Sequence, residues 1–286
     1  MANLRDIRRR IRSIRNTQQV FKAMKMVSAA RLRRAQDAIV SARPYARKLQ
    51  EVLSDLASRA RPDAHPLLAE RPGEAKIELV VVCADRGLCG SFNSNVFKRV
   101  TALAREHGGK LQGLHLIGRK GREFFRRRNY ELLSERFDPY RGLDYARAAG
   151  IAQALCERFS AGQTDAVVAV YNEFKSIAQQ RVVVERLLPI ERTQWKGKGA
   201  PLDYLFEPEP EKLFARLVPL HLEFQVFRLL LESVAAEHAS RMAAMDSATR
   251  NAGDLIHAMT LHLNRVRQAS ITKDLIEVIS GAEALA

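Results

Sequence analysis

Apolar residues recur at alternating spacings of three and four across the first sixty positions of the chain. The series 4, 7, 11, 14, 18, 21, 25, 28, 32, 35, 39, 42, 46, 49, 53, 56 is apolar at thirteen of its sixteen positions, from Leu4, Ile7, Ile11 and Ile14 to Leu49, Leu53 and Leu56. Gln18, Lys25 and Ser28 are the exceptions. A sustained seven-residue repeat predicts a helix that supercoils with a partner helix. At about 1.5 Å per residue such a helix is roughly 80 Å long. Pro44 removes one intrahelical hydrogen bond, which predicts a bend rather than a stop.

The same spacing returns near the C-terminus. Leu213, Leu217, Leu220, Phe224, Phe227, Leu231 and Val234 keep it, and after a one-residue slip past His238 it resumes from Met242 and Met245 to Leu263 and Val266. Pro219 suits the first turn of a helix, so the long C-terminal helix is expected to begin there after a shorter one. The middle has a different texture. Ile77–Ala84 reads as a buried strand, Asn93–His107 as a helix, Leu111–Ile117 as a strand and Arg119–Arg128 as a helix. Tyr130–Ser134 reads as a short strand, Leu143–Ser160 as a helix, Ala166–Tyr171 as a strand and Arg181–Leu187 as a last strand, at an edge. Strands alternating with helices predict an open α/β sheet. The expected fold is therefore α/β overall: a long antiparallel coiled coil of N- and C-terminal helices, with a Rossmann-like open α/β domain inserted between them. The expected divisions are 1–60 for the first coil helix, 75–190 for the α/β domain, 191–210 for a Pro-rich linker and 211–286 for the second coil helix. Each seam is too long to bury on the α/β domain, so the two are expected to bury on each other.

Charge sharpens this picture. The formal net charge is +15, and residues 1–60 carry +11 of it, whereas residues 211–286 carry −1. That asymmetry points to an acidic partner for the first helix. Nucleic acid is one candidate, since Arg5, Arg8, Arg9, Arg10, Arg12 and Arg15 could track phosphates. No recognition module or set of stacking aromatics accompanies them. An acidic protein surface fits the same charge. No run of about 18 apolar residues is present, so no transmembrane helix is expected. Three cysteines cannot build a disulfide framework, and a reducing compartment is the simple reading.

Candidate chemistry is sparse. Gly113–Gly121 lacks the Gly-Lys pair and the hydroxyl of a phosphate-binding loop, and reads as strand, turn and helix start. Asp85-Arg-Gly-Leu-Cys-Gly90 follows the first strand, where open sheets take ligands. Its glycines could approach a phosphate or make a tight turn before a helix capped by Ser91 or Asn93, and the turn is the physically simpler reading. The seven histidines and three cysteines show no metal-ligand spacing. No cofactor, metal or catalytic residue is expected.

Several segments, in order, resemble the gamma subunit of F-type ATP synthases. They are Ile14-Arg-Asn-Thr-Gln18 with Lys22-Ala-Met-Lys-Met-Val27, Arg43-Pro-Tyr45, Asp85–Gly90 and Asp203-Tyr-Leu-Phe-Glu-Pro208. Ala243–Ala252, Arg265–Thr272 and Glu277–Gly281 complete the set, so the resemblance spans nearly the whole chain. It implies a non-catalytic central rotor that couples ion-driven rotation of a membrane c ring to ATP synthesis or hydrolysis in a ring of alpha and beta subunits. The implied partners are the alpha and beta subunits, an epsilon subunit and the c ring, with no nucleic acid. The implied location is peripheral, on the cytoplasmic face of a bacterial inner membrane. Carried onto this chain, the family's motifs place beta-subunit contacts at Lys22, Met24, Lys25, Arg267, Gln268, Thr272 and Glu277. They place epsilon and c-ring contacts at Tyr204 and Glu207, and a structural turn at Asp85, Gly87 and Gly90. Lys25 and Gln18 interrupt the apolar seam, which is read as a face turned outward to the ring. Two other classes stay open from the residues alone: a nucleic-acid-binding coiled coil resting on the basic first helix, and a small-molecule enzyme resting on Asp85–Gly90.

Overall fold

The structure is a computed structural model and describes residues 4–59, 65–69, 71, 73–136, 144–191 and 210–283. Helix α1 (Leu4–Arg59) and helix α5 (Pro210–Glu283) enclose an α/β region in sequence. That region contains β1 (Ile77–Val82), α2 (Phe92–His107), β2 (Leu111–Ile117), α3 (Arg119–Phe125), β3 (Leu132–Arg136), α4 (Tyr145–Ser160), β4 (Ala166–Phe174) and β5 (Gln180–Leu188). The chain divides into two compact units, one of Met1–Ser28 with Met242–Ala286 and the other of Ala29–Arg241.

The larger unit is built on a five-stranded sheet of order β3-β2-β1-β4-β5. β3, β2, β1 and β4 run parallel, and β5 pairs antiparallel with β4 at the edge. Five residues separate β4 from β5. That gap is too short for the crossover that a parallel neighbour needs, so a hairpin results. Every residue of β1 is buried, as expected for a central parallel strand covered on both faces. Ile77, Leu79, Val81 and Cys83 pack with α2 residues Val96, Phe97 and Val100 and with Phe125 of α3. Val80 and Val82 lie in the opposite core, which contains Ala148, Ala152 and Leu155 of α4, Leu49, Leu53 and Leu56 of α1, and Val218, Leu222 and Val226 of α5. The long helices are thus part of the sheet's second cover. The expectation that their seams bury only on each other needs that correction.

Within this unit α5 is surrounded. No residue from Leu222 to Arg241 is exposed. One side meets Leu32 and Ala35 of α1 through Val234, Ala235 and Ala239. Another is tied to the sheet by Arg228, which bonds Glu185 and Tyr171, while Tyr171 donates to Glu185 at 2.8 Å.

Three boundaries differ from the sequence reading. α5 runs unbroken from Pro210 through Pro219 rather than starting at Pro219. Proline at 219 leaves the Ala215 carbonyl without its helical donor, and the His65 side chain lies near Ala215. His65 Nδ1 accepts the Leu67 N–H at 3.2 Å. α3 stops at Phe125 and tightens into a 3-10 turn at Arg126–Arg128, which Asn129 ends in the left-handed region at φ 56°. β3 accordingly begins at Leu132, and Tyr130 instead packs edge-on against Phe125 at 5.3 Å.

In the smaller unit α1 and α5 pair antiparallel. Gln18 Nε2 donates to the Thr249 carbonyl at 3.1 Å, and Lys25 Nζ bonds Asp246 Oδ1 at 2.5 Å. All sixteen repeat positions of α1 are buried or half-buried, including Gln18, Lys25 and Ser28. The interruptions therefore face the partner helix. Long side chains in a seam reach across it to a carbonyl or a carboxylate, and the reading that they turn outward is corrected.

Candidate functional site

β1 delivers Cys83 and Ala84 to the carboxyl end of the sheet, beside the point where strand order reverses between β1 and β4. Open α/β sheets hold ligands in the crevice at such a point. Here the chain's own groups fill it. Asn93 caps nothing; its Oδ1 accepts the Ala84 N–H at 2.9 Å. Ser91 occupies the α2 cap position without a side-chain capping bond. Asp85 Oδ1 accepts the Arg119 N–H at 2.8 Å, joining the loop to the start of α3. From α5, Ser240 Oγ donates to the Cys89 carbonyl at 2.7 Å, and Arg241 Nη2 reaches the Arg86 and Gly87 carbonyls, each at 3.3 Å. Ala236 packs beside Ala84, Cys89 and Phe92, against Phe174. The Arg86 and Gly87 carbonyls thus point at Arg241 and the Cys89 carbonyl at Ser240, so this side of the loop presents carbonyl oxygens, which do not cradle an anion.

The left-handed geometry of this loop sits at Leu88, φ 62°, and Gly90, φ 57°. A Cβ at Gly87 would meet nothing within 4 Å, so that glycine is not demanded by space. Arg241 is held in turn by Glu237 at 2.6 Å, and its Nη1 lies 3.4 Å from His238 Nδ1. Burial, with Arg241 and Arg31 nearby, pushes His238 down to about 4, so it is neutral at pH 7. Asn93→Ala is expected to cost roughly 1–2 kcal/mol by stranding the Ala84 N–H, which belongs to a fully buried residue. A lowered urea midpoint at an unchanged denaturant slope checks it.

Among the described residues no group of three or more His, Cys, Asp or Glu could hold a metal ion. Cys83, Cys89 and Cys156 are free thiols, and burial pushes each upward, Cys156 to about 11.

The family described as ATP synthase matches residues 3–285. An ATP synthase gamma chain from Anaeromyxobacter sp. (strain Fw109-5) is 49% identical over 290 residues, covering 100% of both chains. A gamma chain from Pelotomaculum thermopropionicum is 46% identical, again covering 100% of both. The chain belongs to the ATP synthase gamma-chain family. It is a subunit of that complex rather than its catalytic component. Among solved structures, a central stalk and c-ring assembly of the Tetrahymena thermophila mitochondrial ATP synthase contains a similar chain with TM-score 0.61 and 28% identity, covering 80% of this chain and 99% of that one. A chain of the Euglena gracilis mitochondrial ATP synthase shares the fold with TM-score 0.70 at 20% identity, covering 99% and 94%.

The residues expected to meet the beta subunit divide by exposure. Lys22 is exposed, Met24 is half-buried, and Lys25 is half-buried in its pair with Asp246. That hydrogen bond and the Lys25 charge hold the Asp246 carboxyl below the usual range. Arg267, Gln268, Thr272 and Glu277 are all exposed on α5. Thr272 Oγ1 donates to the Gln268 carbonyl at 3.0 Å, and Glu277 pairs with Lys273 at 3.4 Å. The two groups come from opposite ends of the sequence and fall in the same compact unit. Tyr204 and Glu207 lie outside the described residues. Asp246, Ser240 and Arg241 were not singled out from the sequence, although Asp246 lies inside a quoted motif. Ser240 and Arg241 meet a loop about 150 residues earlier, which no local spacing reveals. Among the described residues no helix is long and apolar enough to cross a membrane.

Proposed function

We propose that the chain is the central rotor of an F-type ATP synthase, turning inside a ring of alpha and beta subunits and joined to the membrane c ring and an epsilon subunit. The observation that carries this reading is the outward surface of the smaller unit. Large apolar side chains face water there beside cations: Val20, Met26 and Val27 lie around Lys22 on α1. Leu261, Ile271, Leu275, Ile276, Val278 and Ile279 flank Arg267 and Lys273 on α5. Exposed apolar groups at this density mark a surface that a partner encloses. Cations among them suit acidic segments of that partner. The filled switch-point crevice argues against the small-molecule reading of Asp85–Gly90. Family membership bears in the same direction for the basic helix, whose seam is committed to α5.

The contacts assigned to beta are tested by reversing charge at exposed positions, Lys22→Glu with Arg267→Glu, in the assembled complex. Neither residue makes an ion pair among the described residues, so folding is expected to be unchanged. ATP-driven ion pumping by membrane vesicles is expected to fall by about threefold or more relative to ATP turnover, since like charges would face each other across the contact. Pumping and turnover that stay in the original ratio would remove these residues from the contact. Lys25→Glu is a separate case, because it also sets two carboxylates together with Asp246.

A further inference from the structure

A second strongly basic stretch of the chain lies outside the helices just discussed. Arg119–Arg128 holds six basic residues and one acidic residue, Glu123. In the fold this stretch is α3 and the 3-10 turn that follows it. Arg119, Arg122 and Arg126 fall at spacings of three and four and share one face, and Glu123 and Arg127 adjoin it. These five residues line a concave pocket of about 380 Å³. Four guanidiniums around one concavity repel each other; Glu123 offsets part of that repulsion, and a bound anion would relieve the rest.

The charges are only partly answered within the chain. Arg122 pairs with Glu135 at 3.2 Å, and Glu123 pairs with Lys120 at 2.6 Å. Arg119, Arg126 and Arg127 are exposed and make no ion pair among the described residues. The pocket is also held in shape. Gly121 N–H donates to Cys83 Sγ at 3.1 Å, Phe125 is fully buried, and Phe124 stacks on Phe97 at 4.4 Å. Arg128 lies over the Phe124 ring at 3.7 Å and donates to the Phe124 carbonyl, which closes the far end of the turn. Guanidinium groups present paired donors that match phosphate oxygens, and several on a rigid face favour a ligand with several phosphates. A pocket of this volume suits a small molecule, and its charged wall excludes an apolar one.

We propose that the α3 arginine pocket binds a small soluble anion carrying two or three linked phosphates, such as the polyphosphate portion of a nucleotide. Clustered phosphates also occur on anionic lipid surfaces; the concave shape and small volume favour the soluble source. The test uses the full-length chain and inorganic tripolyphosphate as the probe, followed by titration calorimetry at 0.1 M salt. Wild type is expected to bind one tripolyphosphate, and the Arg119→Gln, Arg126→Gln, Arg127→Gln variant to bind it at least about tenfold more weakly. A control variant, Arg8→Gln, Arg9→Gln, Arg12→Gln, removes the same charge from α1 and is expected to leave that affinity unchanged. Equal weakening in both variants would overturn the proposal by showing a generic charge effect. So would wild-type binding to cardiolipin vesicles in flotation with no binding of tripolyphosphate. The substituted arginines are exposed, and an unchanged thermal midpoint in both variants confirms that folding is intact.

Discussion

Gly118→Ala is expected to destabilise the larger unit severely. Gly118 joins β2 to α3 at φ 110° and ψ 140°, a region that residues with a Cβ rarely enter. An added Cβ would lie 2.0 Å from the Cys83 carbonyl oxygen and 2.7 Å from its carbon. Those are backbone atoms of the segment that follows the central strand, so no side-chain rotation relieves the clash. The Cys83 N–H is itself held by the Ile117 carbonyl at 2.9 Å, and the Gly118 N–H by Arg136 at 2.9 Å. Strand β1 must therefore separate from β2, or α3 must swing away with Phe125. The expected loss is about 4 kcal/mol or more, a large part of a domain's whole stability. Gly87→Ala is the matched control, with open space and no left-handed requirement. It is expected to stay within about 0.5 kcal/mol of wild type. Urea unfolding followed by circular dichroism distinguishes them, and a Gly118→Ala midpoint near that of wild type would contradict the account.

Arg158→Met is expected to destabilise the same unit by about 2–4 kcal/mol at pH 7. Its target is Glu78, a carboxylate with no exposed surface in the central strand. Arg158 donates to Glu78 through Nη2 at 2.5 Å and through Nε at 3.2 Å. His115 Nε2 lies 2.8 Å from the other oxygen, and His115 Nδ1 lies 2.8 Å from Ser134 Oγ. Donation from His115 Nε2 to Glu78 leaves Nδ1 to the Ser134 hydroxyl, which both donates and accepts. Burial by itself would raise the Glu78 carboxyl, but the bonds from His115 and Arg158 outweigh it and hold it below the usual range. Arg158 is partly exposed, so water reaching the vacated space offsets part of its loss and sets the figure under the largest known for broken buried pairs.

The pH dependence has a definite sign. A carboxyl depressed in the folded state adds stability that is present above its unfolded value of about 4.3. That stability is lost as pH falls through the folded value. Without Arg158, two of the influences that hold the Glu78 carboxyl down are gone and it moves up. The variant therefore loses less stability on acidification, and the gap between variant and wild type is expected to narrow between pH 7 and pH 4.5. Unfolding free energies at the two pH values check this, and a constant gap would show that Arg158 acts through packing alone.

The coil seam was legible because a seven-residue repeat needs no tertiary information. The positions that carry it in α1 are those that become buried, and even the polar Gln18 and Lys25 obey the geometry. The parallel strands were legible as continuous apolar runs, since burial on both faces leaves no polar alternation. The start of β3 was not, because the left-handed Asn129 and the edge-on packing of Tyr130 against Phe125 depend on where α3 ends. The continuity of α5 through Pro219 was not legible either. A proline suits a helix start as well as a position inside one, and His65, which lies near Ala215, is 150 residues earlier in the chain. The expected contact residues were located by resemblance; the fold adds which of them face water.

The amino-acid sequence by itself determined the two helical repeats, the alternation that makes an open sheet and the concentration of positive charge on the first helix. All three are properties of neighbours along the chain, where side-chain period and composition act directly. Only the tertiary structure decided what fills the crevice beside β1. Ser240 and Arg241 close it because α5 is buried against α1 on one side and bound to the sheet on another. Such two-sided burial encloses polar side chains of α5 as well, Glu237, His238 and Arg241 among them, and a single repeat in sequence shows one of its faces.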